Sequence, residues 1–209
     1  MENFDRKNHW ENIYKTRELK DLSWYQSSPD TSLDFLKQLN IPKSAKIIDI
    51  GGGDSYFVDN LLDLGYHDIT VLDISESALE RAKQRLGDRA AKVTWIVSDA
   101  TTFKPAVKYD FWHDRATFHF LTGEQEIESY INTARQNITT NGVLIIGTFS
   151  DKGPDKCSGI RIKQYSEITM TERLKKYFKK IRCITVDHQT PFNTIQNFIF
   201  CSFRKLQSA

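Results

Sequence analysis

The segment from Tyr109 to Glu126, YDFWHDRATFHFLTGEQE, concentrates residues that could do chemistry. Histidine and aspartate can bind a metal or move protons, and arginine suits carboxylates. The same side chains could also belong to a crowded core, because aromatic residues surround them. The segment therefore raises three possibilities: a metal site, a cluster of catalytic bases, or core packing. The four candidates are His113, Asp114, Arg115 and His119.

A glycine-rich loop lies upstream, in DIGGGDS from Asp49 to Ser55. Glycines directly after a strand let the backbone approach a ligand and direct helix N-terminal amides towards it. Asp73 ends VLD, 22 residues after Gly51, and Asp99 ends VSD. Asp73 is placed to accept both hydroxyls of a ribose, and Asp99 can accept from an adenine amino group. Each aspartate alone would suit a cap or turn, but together with the loop they predict an adenosine site.

Two details narrow the choice of adenosine compound. The dinucleotide fingerprint G-x-G-x-x-G needs a third glycine at position 56, where Tyr56 would obstruct the approach to a pyrophosphate. The sequence also contains no G-x-x-x-x-G-K-[ST] phosphate loop. Asp49 would be costly beside a pyrophosphate, but it can orient the loop or meet an ammonium group through water. A ligand with adenosine at one end and a zwitterionic amino acid at the other fits this set.

Alternating strands and helices must position these loops. Short β-branched runs predict strands at 45–50, 68–74, 92–100, 109–114 and 142–150. Amphipathic stretches between them predict helices at 55–65, 75–87 and 122–138, the last opened by a capping box of Thr122 and Gln125. Such alternation selects a parallel sheet with right-handed crossovers.

The C-terminal part departs from this alternation. A helix around 166–178 is followed by apolar runs at 180–188 and 194–203, which are too close for a crossover helix and must pair antiparallel. The predicted fold class is α/β, Rossmann-like and doubly wound, with a mostly parallel seven-stranded sheet, a terminal antiparallel strand and helices on both faces. We expect a single domain over 1–209, with an N-terminal helical or lid segment at 1–43 and the Rossmann-like core at 44–209.

The motifs IIDIGGGDS, VLDIS and VSDAT resemble those of the class I S-adenosylmethionine-dependent methyltransferases, over roughly 44–203. The resemblance implies S-adenosyl-L-methionine as cofactor and S-adenosyl-L-homocysteine as its product. The family often has a further glycine at the place of Ser55, so backbone contact there is in doubt. The residues that the resemblance assigns to the cofactor are Gly51 and Gly53 at its amino-acid end, Asp73 at its ribose, Ile74 on its adenine, and Asp99 with Ala100 at the adenine edge.

The N-terminal segment adds to the resemblance. HWENIY followed by SWYQSSPDTSLDFL is similar to the entry segment of methyltransferases in which a Trp-x-x-x-Tyr helix and a later aromatic residue close over the cofactor. Trp10 and Tyr14 lie four residues apart and share a helix face. Two interpretations stay open: they staple the segment to the sheet, or with Trp24 they form a lid whose aromatic faces stabilise a sulfonium cation.

Methyl transfer from a sulfonium is a direct displacement, so a protein must mainly align the reactants and exclude water. A general base is needed only when the acceptor arrives protonated. His113 is interpreted either as a strand-end histidine bonded to backbone or as a contact to cofactor or substrate. Asp114 and Arg115 form a structural ion pair or position a charged substrate. His119 is predicted to be structural, and no third ligand completes a metal site.

The turn DHQTPFN at 187–193 should emerge at the same sheet edge as the glycine loop. His188 is therefore interpreted either as a turn residue or as a side chain that reaches the substrate. The insertion DKGPDKCSGIRIKQYS at 151–166 lies on that edge too and could cover the acceptor pocket.

Composition limits the partners and the compartment. Lys and Arg exceed Asp and Glu by only 2, and the basic cluster RLKKYFKK has helical apolar spacing, so no nucleic acid is expected. With no apolar leader and no long apolar run, we expect a cytoplasmic monomer without a membrane partner. Cys157, Cys183 and Cys201 are odd in number and form no Cys-x-x-Cys pair, so they predict near-core thiols rather than a disulfide framework or a zinc site.

The sequence thus predicts an S-adenosylmethionine-dependent methyltransferase that acts on an unidentified small molecule or protein side chain. Two alternatives stay open. One is a non-catalytic sensor of an adenosine ligand on the same fold, and the other is an NAD-dependent oxidoreductase.

Overall fold

A computed structural model describes residues 4–207 of the chain. Seven of its nine strands form one sheet, and six α-helices accompany them. The strands are β1 Lys46–Ile50, β2 Asp68–Asp73, β3 Val93–Val97, β4 Tyr109–Arg115, β5 Ile138–Phe149, β6 Lys156–Cys157, β7 Ile160–Arg161, β8 Phe178–Gln189 and β9 Ile195–Lys205. The helices are α1 Arg6–Thr16, α2 Asp30–Gln38, α3 Phe57–Asp63, α4 Glu76–Leu86, α5 Glu124–Asn137 and α6 Glu167–Leu174.

The sheet has the strand order β3-β2-β1-β4-β5-β9-β8. Strands β1 to β5 are paired in parallel, whereas β9 runs antiparallel to both of its neighbours, β5 and β8. This confirms the predicted fold class. The chain reverses its direction of progress between β1 and β4, and in open sheets of this kind ligands bind at that switch point, outside the carboxyl ends of the strands.

Each face of the sheet carries its own apolar core because successive strand residues point to opposite faces. Ile47 and Phe111 pack with α2, α3 and α4, whereas Ile48 and Trp112 pack with α5 and α6. Strand β5 is covered on both faces, since Leu144, Ile145 and Ile146 are each 0% exposed. Burying a side chain of this size stabilises the fold by about 1.5–3 kcal/mol. The almost continuous apolar run at 142–150 is therefore the mark of a central strand.

The helix before β5 begins one residue later than predicted. Its first residue is Glu124, and the Gly123 amide donates to Glu126 Oε2 at 3.3 Å. The predicted pairing of Thr122 with Gln125 is wrong. The side chain three residues into the helix still reaches back to the cap amide, so one of the two bonds of a capping box forms one position further along, whereas Gly123 has no side chain to supply the other.

The cysteine prediction is also wrong for two of the three residues. Cys183 and Cys201 lie directly opposite each other on β8 and β9, and they form a disulfide. Cys157 is the buried free thiol among the described residues. The pairing depends on strand register, which spacing in the sequence does not reveal, because a hairpin brings together residues that are 18 positions apart.

The N-terminal segment docks on the core at the edge that carries the strand ends. Glu11 Oε1 accepts the Glu76 amide at 2.6 Å, so a carboxylate stabilises the N-terminus of α4. Arg81 of α4 donates to the Tyr14 carbonyl at 2.9 Å. These contacts hold α1 above the sheet edge. Within residues 4–207, no helix has both the length and the apolar character that a membrane span requires.

Candidate functional site

A cavity lies at the carboxyl ends of β1 to β4, beneath the N-terminal segment. It encloses about 1210 Å³ of empty space, the open mouth included. One half is formed by the ends of β1, β2 and β3, and the other by Trp24, Phe120, Phe149, Cys157 and Phe198.

The glycine loop has a backbone conformation that its residue types require. Gly51 and Gly53 have φ values of 65° and 50°, in the left-handed region. A Cβ on Gly51 would lie 1.7 Å from Thr117 Oγ1, which donates to the Ile50 carbonyl. The Gly51 amide also donates to the Leu72 carbonyl at 2.7 Å. The loop is therefore fixed in place, and Gly51 lines the cavity whereas Gly53 lies just behind its wall.

Asp73 lies at the end of β2 with 6% of its surface exposed. One carboxylate oxygen accepts the Ser75 amide at 2.8 Å. Burial raises the pKa of Asp73 to about 7, and the nearby Asp49 and Asp54 carboxylates add to that rise. A buried carboxylate with remaining acceptor capacity is suited to a ligand that brings hydroxyl donors, because each donor favours the ionised form.

Asp99 lies at the other end of this half, beside Ile74 and Ala100 in the cavity wall. Its Oδ1 accepts from the amide and hydroxyl of Thr101 at 2.7 and 2.6 Å. Its Oδ2 lies 3.4 Å from Nη1 of Arg6, which comes from α1. Sequence reasoning missed Arg6, since a lone arginine near the chain start carries no motif.

His113 connects three elements inside the cavity. Its Nδ1 lies 2.7 Å from Asp49 Oδ1 on β1, and its Nε2 lies 2.8 Å from Ser32 Oγ on α2. The Phe57 ring of α3 packs against the imidazole with centroids 4.2 Å apart. Sequence reasoning missed Ser32, because a serine within a short helix gives no indication of a distant partner. The bonds to His113 are to side chains rather than to backbone.

The side chain of Asp114 points to the opposite face of the sheet from those of His113 and Arg115, because successive residues of a strand alternate between faces. The structure does not bring it into the cavity; it is 0% exposed on the opposite face of the sheet. Its carboxylate accepts the amides of Thr117 and Phe118 and, at 2.6 Å, the hydroxyl of Tyr130. Burial raises its pKa to about 6. These contacts hold the turn after β4 and do not form an ion pair with Arg115.

Aromatic side chains form the roof of the cavity. The Trp10 ring packs edge-on against Trp24 and Phe120 at centroid distances of 5.7 and 5.1 Å. Tyr14 lies next to both tryptophans, and its hydroxyl would lie 2.8 Å from a Cβ placed on Gly53. The roof therefore reaches from the glycine loop to the turn after β4 and joins the N-terminal segment to the core, while a role of its aromatic faces towards a sulfonium stays a prediction.

Arg115 lies in the half of the cavity away from the carboxylates. Its Nη1 donates to the Trp24 carbonyl at 3.1 Å, and its guanidinium lies 5.4 Å from the centre of the Phe198 ring. Its Nη2 is buried and has no hydrogen-bond partner among the described residues. Burial lowers the pKa of Arg115 to about 10, so the side chain stays charged at neutral pH.

Two further histidines lie near this guanidinium. His119 is 0% exposed, and its Nδ1 accepts the Phe149 amide at 3.3 Å. Burial, with the Arg115 charge, lowers the pKa of His119 to about 3. His188 donates through Nε2 to the Ser23 carbonyl at 2.8 Å, and burial lowers its pKa as well. Neither histidine lines the cavity, and within residues 4–207 no group of three side chains is arranged to hold a metal ion.

A family model of the methyltransferase domain matches residues 48–144, from β1 into β5. This range includes the glycine loop and the ends of the first four strands. This match assigns a methyltransferase domain to the chain and agrees with the resemblance to the class I methyltransferase family. The chain's seven-stranded sheet with one antiparallel strand is the fold of that family.

Curated methyltransferases resemble this one over part of their length. The mouse eEF1A lysine and N-terminal methyltransferase is 30% identical over 128 residues, which are 59% of this chain and 18% of that protein. The malonyl-[acyl-carrier protein] O-methyltransferase of Anoxybacillus flavithermus is 33% identical over 107 residues, 51% of this chain and 39% of that protein. The chain thus spans well under half the length of these relatives.

Solved structures match this methyltransferase over nearly its whole length. One, from work on the conversion of a disulfide bond into a thioacetal group during echinomycin biosynthesis, has a TM-score of 0.79 at 17% identity and covers 97% of this chain and 94% of that chain. The N-methyltransferase NodS of Bradyrhizobium japonicum, in complex with S-adenosyl-L-homocysteine, has a TM-score of 0.67 at 17% identity and covers 94% of this chain and 100% of that chain. These likenesses show the fold.

Proposed function

We propose that this methyltransferase uses S-adenosyl-L-methionine as methyl donor and acts on a small molecule or a protein side chain. One observation carries the proposal: Asp49, Asp73 and Asp99 line a single cavity around the glycine loop. Donor ribose, adenine and ammonium groups all supply hydrogen-bond donors, so a row of carboxylates complements them.

The donor half of the cavity fits this compound group by group. Asp73 retains acceptor capacity beside the loop and has a raised pKa, and two ribose hydroxyls would relieve its desolvation. Ile74 and Ala100 offer apolar contact for a flat base next to Asp99. Asp49 lies near the loop at the place for an ammonium group. We assign the cofactor-binding role to these residues together with Gly51 and Gly53.

The chain's own contribution is alignment and exclusion of water. S-adenosyl-L-methionine supplies an electrophilic methyl group on a positively charged sulfur. Trp10, Tyr14 and Trp24 cover the cavity with aromatic faces, which attract a cation and keep water from it. Such pre-alignment can lower the barrier of a displacement by about 7–11 kcal/mol.

His113 serves as a positioning residue in this proposal. Both of its ring nitrogens are engaged, one by Asp49 and one by Ser32, so neither is free to take a proton from an acceptor. The imidazole instead fixes the Asp49 carboxylate and ties α2 to the strand ends. This keeps the roof segment and the donor site in one arrangement.

The acceptor half of the cavity lies below the roof, between Arg115 and the residues of β5, β6 and β9. The relatives are named for protein lysine and N-terminal amine acceptors and for a malonyl carboxyl acceptor. Either kind of acceptor fits a transfer that depends on alignment. Cys157, from the insertion after β5, lines this half.

Calorimetry with S-adenosyl-L-homocysteine and with NAD tests the donor. We expect S-adenosyl-L-homocysteine to bind and NAD not to, because Tyr56 lies beside the loop with the Arg85 guanidinium 4.4 Å from its ring centre. Asp73→Ala should weaken binding about 100-fold. Asp63→Asn is the matched control, since its side chain is 65% exposed on α3. Equal binding by a folded Asp73→Ala variant would refute the donor site.

Turnover tests the reaction. In a cell lysate with radiolabelled S-adenosyl-L-methionine, fractionated by size, a methyltransferase places label in protein or in small molecules and produces S-adenosyl-L-homocysteine. Donor binding without label in either fraction would instead support a non-catalytic sensor.

A further inference from the structure

The Arg115 guanidinium is a buried charge in the acceptor half of the cavity, and the proposed binding of S-adenosyl-L-methionine gives it no role. Its Nη2 is buried and unpartnered among the described residues, although the side chain lines the cavity. Building on the proposed function, we propose that Arg115 binds the carboxylate of the methyl acceptor, and that this acceptor is a small carboxylic acid with a flat apolar body. A guanidinium edge is the side-chain geometry best matched to a carboxylate.

No carboxylate of residues 4–207 forms a direct ion pair with this cation. The negative charge of Asp49 raises the pKa of Arg115, but Asp49 Oδ1 is hydrogen-bonded to His113. Among the described residues, the Arg115 guanidinium donates its hydrogen bond to the carbonyl of Trp24, which carries no charge. A buried charge without a counter-ion is costly, so such a residue is retained where a ligand brings the opposite charge.

The two histidines and the cysteine next to Arg115 carry no negative charge. The Arg115 charge contributes to the lowered pKa values of His119 and His188, which keep both imidazoles neutral at pH 7. Burial raises the pKa of the Cys157 thiol to about 11, so it too is neutral. On this side of the cavity the guanidinium is thus a positive charge beside neutral groups, and a ligand carboxylate could pair with it directly.

The cavity walls beside Arg115 indicate what kind of group the rest of the acceptor carries. They are aromatic rings from four parts of the chain: the N-terminal segment, the turn after β4, the end of β5, and β9. Rings in this arrangement favour a flat apolar group over a polar chain. The wall residues are Trp24, Phe120, Phe149 and Phe198.

The position of Arg115 in the sheet assigns it to the acceptor rather than to the donor. The carboxylates of the donor half follow β1, β2 and β3, on one side of the switch point. Arg115 ends β4 and contacts Phe198 of β9, two strands further in the opposite direction. Because oxygens that accept from a guanidinium are poorer nucleophiles, the carboxylate anchors the acceptor, and the methylated atom lies elsewhere on it.

Calorimetry on the complex with saturating S-adenosyl-L-homocysteine tests the anchor. The probes are benzoate, phenylacetate and 3-phenylpropionate, each compared with its neutral amide. We expect at least one carboxylate to bind about tenfold more tightly than its amide, and Arg115→Gln to abolish that difference. Arg161→Gln is the matched control, because Arg161 is an exposed arginine on the β6–β7 hairpin and does not line the cavity.

Each other result has a definite meaning. Equal binding of all carboxylates and amides, or a preference that survives in Arg115→Gln, would overturn the proposal. Loss of S-adenosyl-L-homocysteine binding in a folded Arg115→Gln variant would show that Arg115 holds the donor's own carboxylate, which also overturns it. Failure of the parent protein to bind S-adenosyl-L-homocysteine would refute the proposed function itself.

A labelling experiment tests the acceptor directly. A deproteinised cell extract is incubated with radiolabelled S-adenosyl-L-methionine and the protein, and labelled products are passed over an anion-exchange resin at pH 7. Labelled material that is retained, and that is absent with Arg115→Gln, supports a carboxylate acceptor methylated at another atom. Label only in neutral or cationic products, or only in protein when protein is left in the extract, would contradict it.

Discussion

Donor binding should expel a proton from Asp73. In the ligand-free protein, burial together with the Asp49 and Asp54 carboxylates raises the pKa of Asp73 to about 7. Ribose hydroxyls that donate to this carboxylate favour its ionised form, so the pKa must fall when the donor binds. The perturbation is therefore pH, and the affected quantity is donor affinity.

The size of the effect follows from a pKa of about 7 for Asp73. At pH 6 about ten of every eleven free molecules carry the proton, whereas at pH 8 about one in eleven does. Since binding needs the ionised carboxylate, affinity should be about tenfold weaker at pH 6 than at pH 8. Affinity should rise with pH because the pKa of Asp73 is raised in the free protein. The carboxyl is therefore largely protonated below about pH 7, and binding of the ligand must release that proton.

Calorimetry with S-adenosyl-L-homocysteine at pH 6, 7 and 8 measures this linkage. Titrations in two buffers with different ionisation enthalpies give the number of protons released, which should be about 0.9 at pH 6 and about 0.1 at pH 8. Asp73→Asn is the control; it should bind more weakly and without this pH dependence. A flat profile in the parent protein, or the same profile in Asp73→Asn, would refute the assignment of the ribose carboxylate.

Three further perturbations probe the frame of the site. Asp114→Ala should lower the free energy of unfolding by about 3 kcal/mol, because it leaves buried N–H and O–H groups without an acceptor. The affinity for S-adenosyl-L-homocysteine should stay unchanged. Urea unfolding measures the first quantity and calorimetry the second, and a loss of affinity without a loss of stability would contradict a structural role. Ser32→Ala should cost about 1 kcal/mol and raise the mobility of α2, seen as faster amide exchange there, with His113 left bonded only to Asp49. Cys183→Ser, or reduction of the parent, should lower stability by about 3 kcal/mol, since the disulfide to Cys201 closes a loop of 18 positions; equal melting temperatures with and without reductant would exclude the bond.

The sequence was enough for the order and type of most core elements. Strands and helices alternate with clear periods, and the glycine loop follows the first strand directly. These features are local, so short-range chemistry determines them. The two apolar runs near the C-terminus were also enough to predict an antiparallel pair, because five intervening residues leave no room for a crossover.

The positions of the three cavity carboxylates could also be predicted from the sequence. In a parallel sheet, the end of each strand emerges at one edge, so Asp49, Asp73 and Asp99 had to lie near one another once the strands were recognised. The structure places all three in the wall of one cavity. Only Arg6, which approaches Asp99 from the N-terminal helix, had no counterpart in this reasoning.

The segment from Tyr109 to Glu126 shows what cannot be predicted from neighbouring residues alone. His113 and Arg115 point into the cavity, whereas Asp114 points into the opposite core, and no spacing argument identified Ser32 as the partner of His113. The pairing of Cys183 with Cys201 likewise depends on the register of two strands. Sequence alone determined which elements form and which edge carries the cavity, because both follow from short-range pattern and topology. Only the tertiary structure decided which buried groups have partners and which, like Arg115 Nη2, have none among the described residues, because that depends on contacts between residues far apart in the chain.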